Sequence, residues 1–412
     1  MSVRTIRLPR VPSSWRWLLA LFSLAGFIET TFWGQMNAFT PLYLPTLGVA
    51  PRDVALWTGI AVSVSNAVGL PFLPFWGALA DRYARQPVIV RSFAVHALAG
   101  MLAILAGNVW MFVLARAVMS FALGNSGLMM ATLAERVPET RRGFAFSVMN
   151  SAAPLGAFLG PLAGGPVVDA FGFRALLAIE VALLLGVALA MAFGYRDTYR
   201  GTASEPVLGM ALDSVRVIAR SPRLRTLFPA LFIVFAGWML AFTYVPLAIT
   251  SLYQGDNPGT AVGIVMGMGG LVTLALGPAM GALADRYGHW RTLLVGAAVE
   301  TLLWPLPLVT HDLIGFGIAW ALINGAASGV FALSFSVLSE SAAPEVRGRI
   351  MSFAYLPVNA GFMAGPALGS LVTQHNLFAV FPLAAILTAA GIGALVLAAR
   401  QRVAVTAIPR AA

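Results

Sequence analysis

The heptapeptide Gly-Ala-Leu-Ala-Asp-Arg-Tyr stands twice in this chain without a change, at Gly77–Tyr83 and at Gly281–Tyr287. Each copy links two long apolar stretches in a 412-residue chain that is 59% hydrophobic and only 10% charged. With a mean hydropathy of +0.84, a water-soluble fold would expose more apolar surface than water tolerates. Lipid is therefore the expected solvent. Hydrocarbon offers the backbone no hydrogen-bond partners, so only helices and closed barrels cross it. The apolar runs are long and continuous and lack the alternation of barrel strands. They predict an all-α membrane protein built as two copies of one helical unit.

The formal charge of +10 is explained by where the bases lie. All 26 basic residues are Arg. With the N-terminus cytoplasmic, Arg52 and Arg174 fall outside, Arg116 falls within a span, and the rest lie inside. This is the positive-inside bias of an integral membrane protein, so the basic charge reflects topology and not a nucleic-acid surface. Without cysteine there is no disulfide, thiolate or Cys metal site, and the four His have no metal-pair spacing. Without Lys there is no Walker A phosphate loop. Neither enzyme chemistry nor a metal or cofactor is expected. The basic start before a long first apolar run predicts a signal-anchor that stays in place.

At about 20 residues per crossing, twelve spans are expected. They lie near residues 17–45, 54–77, 88–106, 109–133, 143–168 and 173–195, then 224–251, 260–281, 292–310, 312–335, 347–372 and 377–399. The polar stretch 196–223 reads as a cytoplasmic linker with a surface helix near 210–219. It separates an N-terminal six-helix bundle, 1–195, from a C-terminal one, 224–412. At a shift of about 205 positions Trp33 matches Trp238, Pro41 matches Pro246, Glu135 matches Glu340, and Gly160–Pro161 matches Gly365–Pro366. An even number of spans per repeat makes the halves parallel, related by an axis along the membrane normal, with a cleft between them.

Over about residues 15–400 the chain resembles the major facilitator superfamily. That superfamily's loop between spans 2 and 3 reads G-x-L-A-D-R-x-G-R-K. Here it runs from Gly77 to Gln86, with Ala84 replacing the second glycine and Gln86 the final base. The second copy keeps Gly288 but has His289 and Trp290 where bases belong. The resemblance implies twelve helices around a central cavity and transport by rocking of the halves. It also implies that Gly77, Asp81 and Arg82, with Gly281, Asp285 and Arg286, latch the cytoplasmic side. Physically, the glycines let a helix of the other half approach, and the carboxylates suit a helix N-terminus or an Arg. The other reading is a plain inside-loop topology signal.

Glu29 lies near the middle of span 1. An ionised, unpaired carboxylate at that depth costs several kcal/mol, which makes Glu29 a candidate proton carrier. Its repeat partner is Val234, so the acid answers a need of the first half alone. Trp33 and Met36 share its helical face, with Asn37 at the edge; such a surface suits lipophilic, often cationic molecules. The alternative is an acid held neutral by a static Arg. Arg116 in span 4 is the candidate counter-charge, although it lies roughly 10 Å nearer the outside than Glu29.

Gly156-Ala-Phe-Leu-Gly160-Pro161-Leu-Ala-Gly164-Gly165 in span 5 matches G-x-x-x-G-P-x-x-G-G. By the same resemblance this is the pattern of proton-driven exporters. Small residues four apart let helices touch and Pro161 bends the span, a hinge between halves, or ordinary helix packing. Asn150, Trp238, Tyr244, Asn324 and Asn359 complete the expected cavity wall, while His96, Glu180 and Glu300 are expected to be satisfied structurally. In drug/proton antiporters of this superfamily a span-1 acid commonly carries the proton. The expectation is therefore proton-coupled efflux of small, lipophilic organic molecules by a monomer in the inner membrane, with both termini cytoplasmic. The alternatives are an importer or uniporter for a sugar or metabolite, or a non-transporting membrane sensor. Expected partners are substrate, protons and the lipid bilayer.

Overall fold

A computed structural model describes residues 14–72, 84–122, 125–195, 197, 216, 218–343 and 347–401. Gly77, Asp81 and Arg82 of the first loop copy, and most of the 196–223 stretch with its expected surface helix, lie outside the described residues.

Each expected apolar run is helical where described. Spans 1 to 6 are Trp15–Tyr43, Val54–Ala67, Arg85–Leu105, Val109–Met119 continued by Asn125–Arg136, Arg142–Phe171 and Phe173–Gly194. Spans 7 to 12 are Pro222–Phe242 continued by Val245–Leu252, Pro258–Tyr287, His289–Leu303 continued by Leu306–Val309, Leu313–Glu340, Arg347–Ser352 continued by Tyr355–Val372, and Val380–Arg400. Eleven described segments are long and apolar enough to cross a membrane. Span 11 is the one that is not among them. Its Tyr355–Val372 helix mixes Asn359, Ser370, glycines and Pro366 with its apolar residues, and it packs against spans 2 and 7.

The interruptions have local causes. Pro246, Pro307 and Pro357 each stand in the first turn of the helical piece that follows a break, where a missing N–H costs nothing. Polar side chains cap other starts: Ser14 Oγ accepts from the Trp17 N–H at 3.2 Å, and Asp312 Oδ1 accepts from Ile314 and Gly315 at 2.9 Å each. Each supplies an acceptor for the donors that a helix N-terminus leaves free.

Span 5 organises the packing. A side chain at Gly156 would place its Cβ 2.2 Å from Thr30 Oγ1 and 2.5 Å from the Phe27 carbonyl oxygen, so span 1 lies directly on the glycine. Further along, a Cβ at Gly165 would stand 2.5 Å from the carbonyl oxygen of Gly259 in span 8. Span 5 thus touches span 1 of its own half and span 8 of the other. Gln35 of span 1 adds a polar tie, its Nε2 donating to the Gly160 carbonyl at 2.9 Å.

The end where span 1 begins and span 12 finishes is called here the terminal end, and its opposite the far end. Buried apolar residues form two clusters. One joins both halves at the far end, linking Tyr43, Leu44 and Val54 to Val245, Ile249 and Val262. The other, with Leu224, Leu293, Leu333 and Leu395, belongs to the second half at the terminal end. Toward the terminal end, Ser147, Asn150 and Ser151 of span 5 are exposed. Among the described residues the halves are sealed at the far end and parted at the terminal end.

Replacing Gly156 by Leu forces this contact apart. Overpacking of this kind costs about 1–3 kcal/mol or more, and we expect a lower thermal midpoint in detergent. Gly127→Leu, at a position where nothing stands within 4 Å of the new Cβ, leaves that midpoint unchanged.

Candidate functional site

Glu29 sits about halfway along span 1, its side chain 17% exposed. Its Oε2 accepts from Asn125 Nδ2 of span 4 at 2.8 Å. Its Oε1 lies 3.8 Å from Nδ1 of His96 in span 3. That His nitrogen makes no hydrogen bond, and the ring stands edge-on to Phe32 at 5.7 Å. The carboxyl group is therefore hydrogen-bonded by an amide and approached, without a hydrogen bond, by an imidazole. His96 and Asn125 come to it from 67 and 96 residues away, and sequence position alone gives no sign of either contact.

Arg116 does not pair with Glu29. It is 1% exposed, donating from Nη2 to Asn37 Oδ1 at 3.0 Å and from Nε to the Ala61 carbonyl at 3.3 Å. Asn37 in turn donates to the Trp33 carbonyl at 2.8 Å. This cation is satisfied by neutral oxygens two turns beyond the acid, in the sealed part of the molecule.

Above the acid, aromatic rings form a continuous row. Trp33 stacks on Phe242 across the halves at 5.6 Å, and Phe242 stacks on Trp238 at 4.6 Å. The row continues through Phe362, Phe235, Phe331 and Phe335 to Tyr355, with centroid spacings from 4.8 to 6.3 Å. Tyr355 is 50% exposed, toward the terminal end.

The cavity wall differs from the one expected. Met36 is buried in the core, Asn37 is sealed against Arg116, and Tyr244 is buried with its hydroxyl donating to the Pro366 carbonyl at 2.9 Å. All three lie on the far side of the Trp33–Phe242 stack, where the halves are closed. Asn359 is 8% exposed and donates to the Tyr355 carbonyl. Asn324 reaches Thr273 Oγ1 at 3.3 Å. Trp33 and Trp238 are half-buried and Asn150 is exposed.

Asp169, in the last turn of span 5, supplies the polar part of the far-end seal. Its Oδ1 accepts from the Gly259 N–H at 2.7 Å, and its Oδ2 from the Thr260 N–H at 2.7 Å and Thr260 Oγ1 at 2.6 Å. A carboxylate of one half thus caps the first turn of a helix of the other, favoured both by the free N–H groups and by the helix dipole. The sequence shows only an acid after a run of small residues, 90 positions from its partner.

At the terminal end, Arg85 Nη2 meets Glu135 at 2.7 Å and His289 Nδ1 meets Glu340 at 2.7 Å. These are the same repeat positions, with His for Arg. Asp285 lies 3.8 Å from His289, and Arg286 stacks over Tyr287 at 5.3 Å. Both of these contacts lie within the second half. Among the described residues no atom stands within 4 Å of where a Cβ at Gly281 would be.

The family model of the Major Facilitator Superfamily matches residues 21–302 and 258–412. The chain belongs to the major facilitator superfamily. It is thus a multi-pass membrane transporter and not an enzyme. The chain is 28% identical over 380 residues to the multidrug resistance protein MdtG of Citrobacter koseri, covering 90% of this chain and 92% of that one. MdtG of Klebsiella pneumoniae is 28% identical over 379 residues, with 90% of each chain covered. Among solved structures, the nucleoside transporter NupG has a TM-score of 0.75 at 14% identity, covering 93% of this chain and 100% of that one. A D-xylose–proton symporter has a TM-score of 0.73 at 14% identity, covering 94% and 97%. At these identities the structures establish the superfamily fold.

Removing the Asp169 charge should loosen the far end. Hydrogen bonds to a charged group contribute about 1.5–3 kcal/mol each, so Asp169→Asn is expected to shift the closed-to-open ratio there by at least about tenfold. Spin-label distances between positions 171 and 256 would read this as a new, longer population.

Proposed function

We propose that this chain is a proton-coupled exporter of small lipophilic organic molecules. It works by alternating access in the inner membrane, as a monomer with the terminal end cytoplasmic. The observation that carries the reading is Glu29: a carboxyl group at mid-depth, hydrogen-bonded by Asn125 and 3.8 Å from His96, with Arg116 engaged elsewhere. An acid held in this way has no permanent arginine partner in Arg116, so its charge can follow the access of water. The name shared by the MdtG relatives, multidrug resistance protein, supports export.

In the proposed cycle, substrate enters from the open terminal end along the row from Tyr355 to Trp33 and lies near deprotonated Glu29. The halves then rock, breaking the Asp169 cap and the glycine contact of spans 5 and 8, while Asp81, Arg82 and the Gly281–Arg286 segment latch the terminal end. Protonation of Glu29 from the far side releases substrate and resets the carrier. Gly156, Gly160, Pro161, Gly164 and Gly165 act as the hinge, its small residues leaving no room for water along the seam.

The second reading is import, favoured by the nucleoside and sugar transporters among the structural neighbours. Vesicles loaded with an imposed pH gradient separate the two. Efflux coupling predicts proton movement when a lipophilic cation is added, and Glu29→Gln abolishes gradient-driven accumulation while substrate binding persists. Unchanged transport and unchanged pH dependence in Glu29→Gln would favour the importer.

Trp33 is expected to act on affinity. An aromatic pair contributes about 0.5–1.5 kcal/mol beyond its buried area, so Trp33→Ala should raise KM for planar aromatic substrates by roughly 2- to 10-fold. Maximal flux changes little, as initial-rate measurements would show.

A further inference from the structure

A groove of about 460 Å³ runs down the outside of the second half, between spans 8, 9 and 10. It takes no part in the cavity. Span 9 supplies one wall with Arg291, Val295 and Val299, spaced four apart on an exposed face. Span 8 supplies the other with Leu276, Met280 and Tyr287. Gly325 of span 10 lies in the floor, where the side chains of Leu276 and Val272 pack directly onto it.

The polar groups collect at one end. Arg291 stands at the mouth, exposed, with no acidic partner among the described residues, and Arg286 lies over the ring of the lining Tyr287. Asp285 and Glu340, at the same end of the second half, are both turned to His289. From Tyr287 to Leu276 the groove is about 16 Å deep at 1.5 Å per residue. That is one leaflet, half of a hydrocarbon core about 30 Å thick. A cationic rim at the headgroup level over an apolar channel one leaflet deep has the shape and charge of a single phospholipid.

We propose that this groove is a specific site for one anionic phospholipid, its phosphate on Arg291 and an acyl chain along Val295, Val299 and Leu276. Basic pockets between spans on the cytoplasmic side favour anionic headgroups in this way. The site goes beyond the transport reading and stands or falls without it.

The test is native mass spectrometry of the whole purified protein, titrated with phosphatidylglycerol and, separately, with phosphatidylcholine. Wild type should retain one phosphatidylglycerol about fivefold more tightly than phosphatidylcholine, the discrimination one Arg near the surface provides. Arg291→Gln should bind both lipids alike. Val295→Trp, which fills the channel from the lipid side without touching the core, should lose the retained lipid while keeping its thermal midpoint. Equal binding of the two lipids by wild type would overturn the proposal. So would a phosphatidylglycerol preference that survives in both variants.

Discussion

The far-end seam between spans 5 and 8 is the constraint on which the rest of this structure depends. Gly165 lets the carbonyl of Gly259 come to within 2.5 Å of where its Cβ would be, and Asp169 closes the same seam with three short hydrogen bonds. A backbone-to-backbone contact leaves no flexible side chain to adapt, so it is either made or broken. Packed interfaces of this kind switch between discrete arrangements and do not deform gradually. With this seam made, the contacts of Asp285 and Arg286 among the described residues are to His289 and Tyr287 of their own half.

The polar groups divide along the same line. Beyond the Trp33–Phe242 stack, Arg116, Asn37 and Tyr244 are buried and satisfied. On the open side lie Asn150, the half-exposed rings and, at the boundary, Glu29. An acid placed at the edge between dry packing and an open cleft is where a change of state alters hydration most. Both groups near it come from spans 3 and 4 of the same half, so its surroundings belong to one bundle.

Much of the architecture is legible in the sequence because lipid imposes it. Long apolar runs, arginines concentrated on one side and a heptapeptide repeated across two halves leave few other folds. The glycines of span 5 announce a close contact, although not with which helix. What the sequence conceals is contact between distant residues. No neighbouring motif marks His96, and its meeting with Glu29 depends on how span 3 is rotated. Asp169 finds its partners in a helix start 90 positions on. Periodicity gives the face shared by Glu29, Trp33 and Met36, but not the depth at which the halves close, and that depth puts Met36 in the core. The loop register is clearer: Arg85 and His289 occupy one position of the repeat and bind matching glutamates.

One rung of the aromatic row belongs to neither half alone. Trp33 of span 1 and Phe242 of span 7 lie face to face at 5.6 Å, so an aromatic contact ties the two bundles together at mid-depth. Any displacement of one bundle against the other must slide or part these two faces.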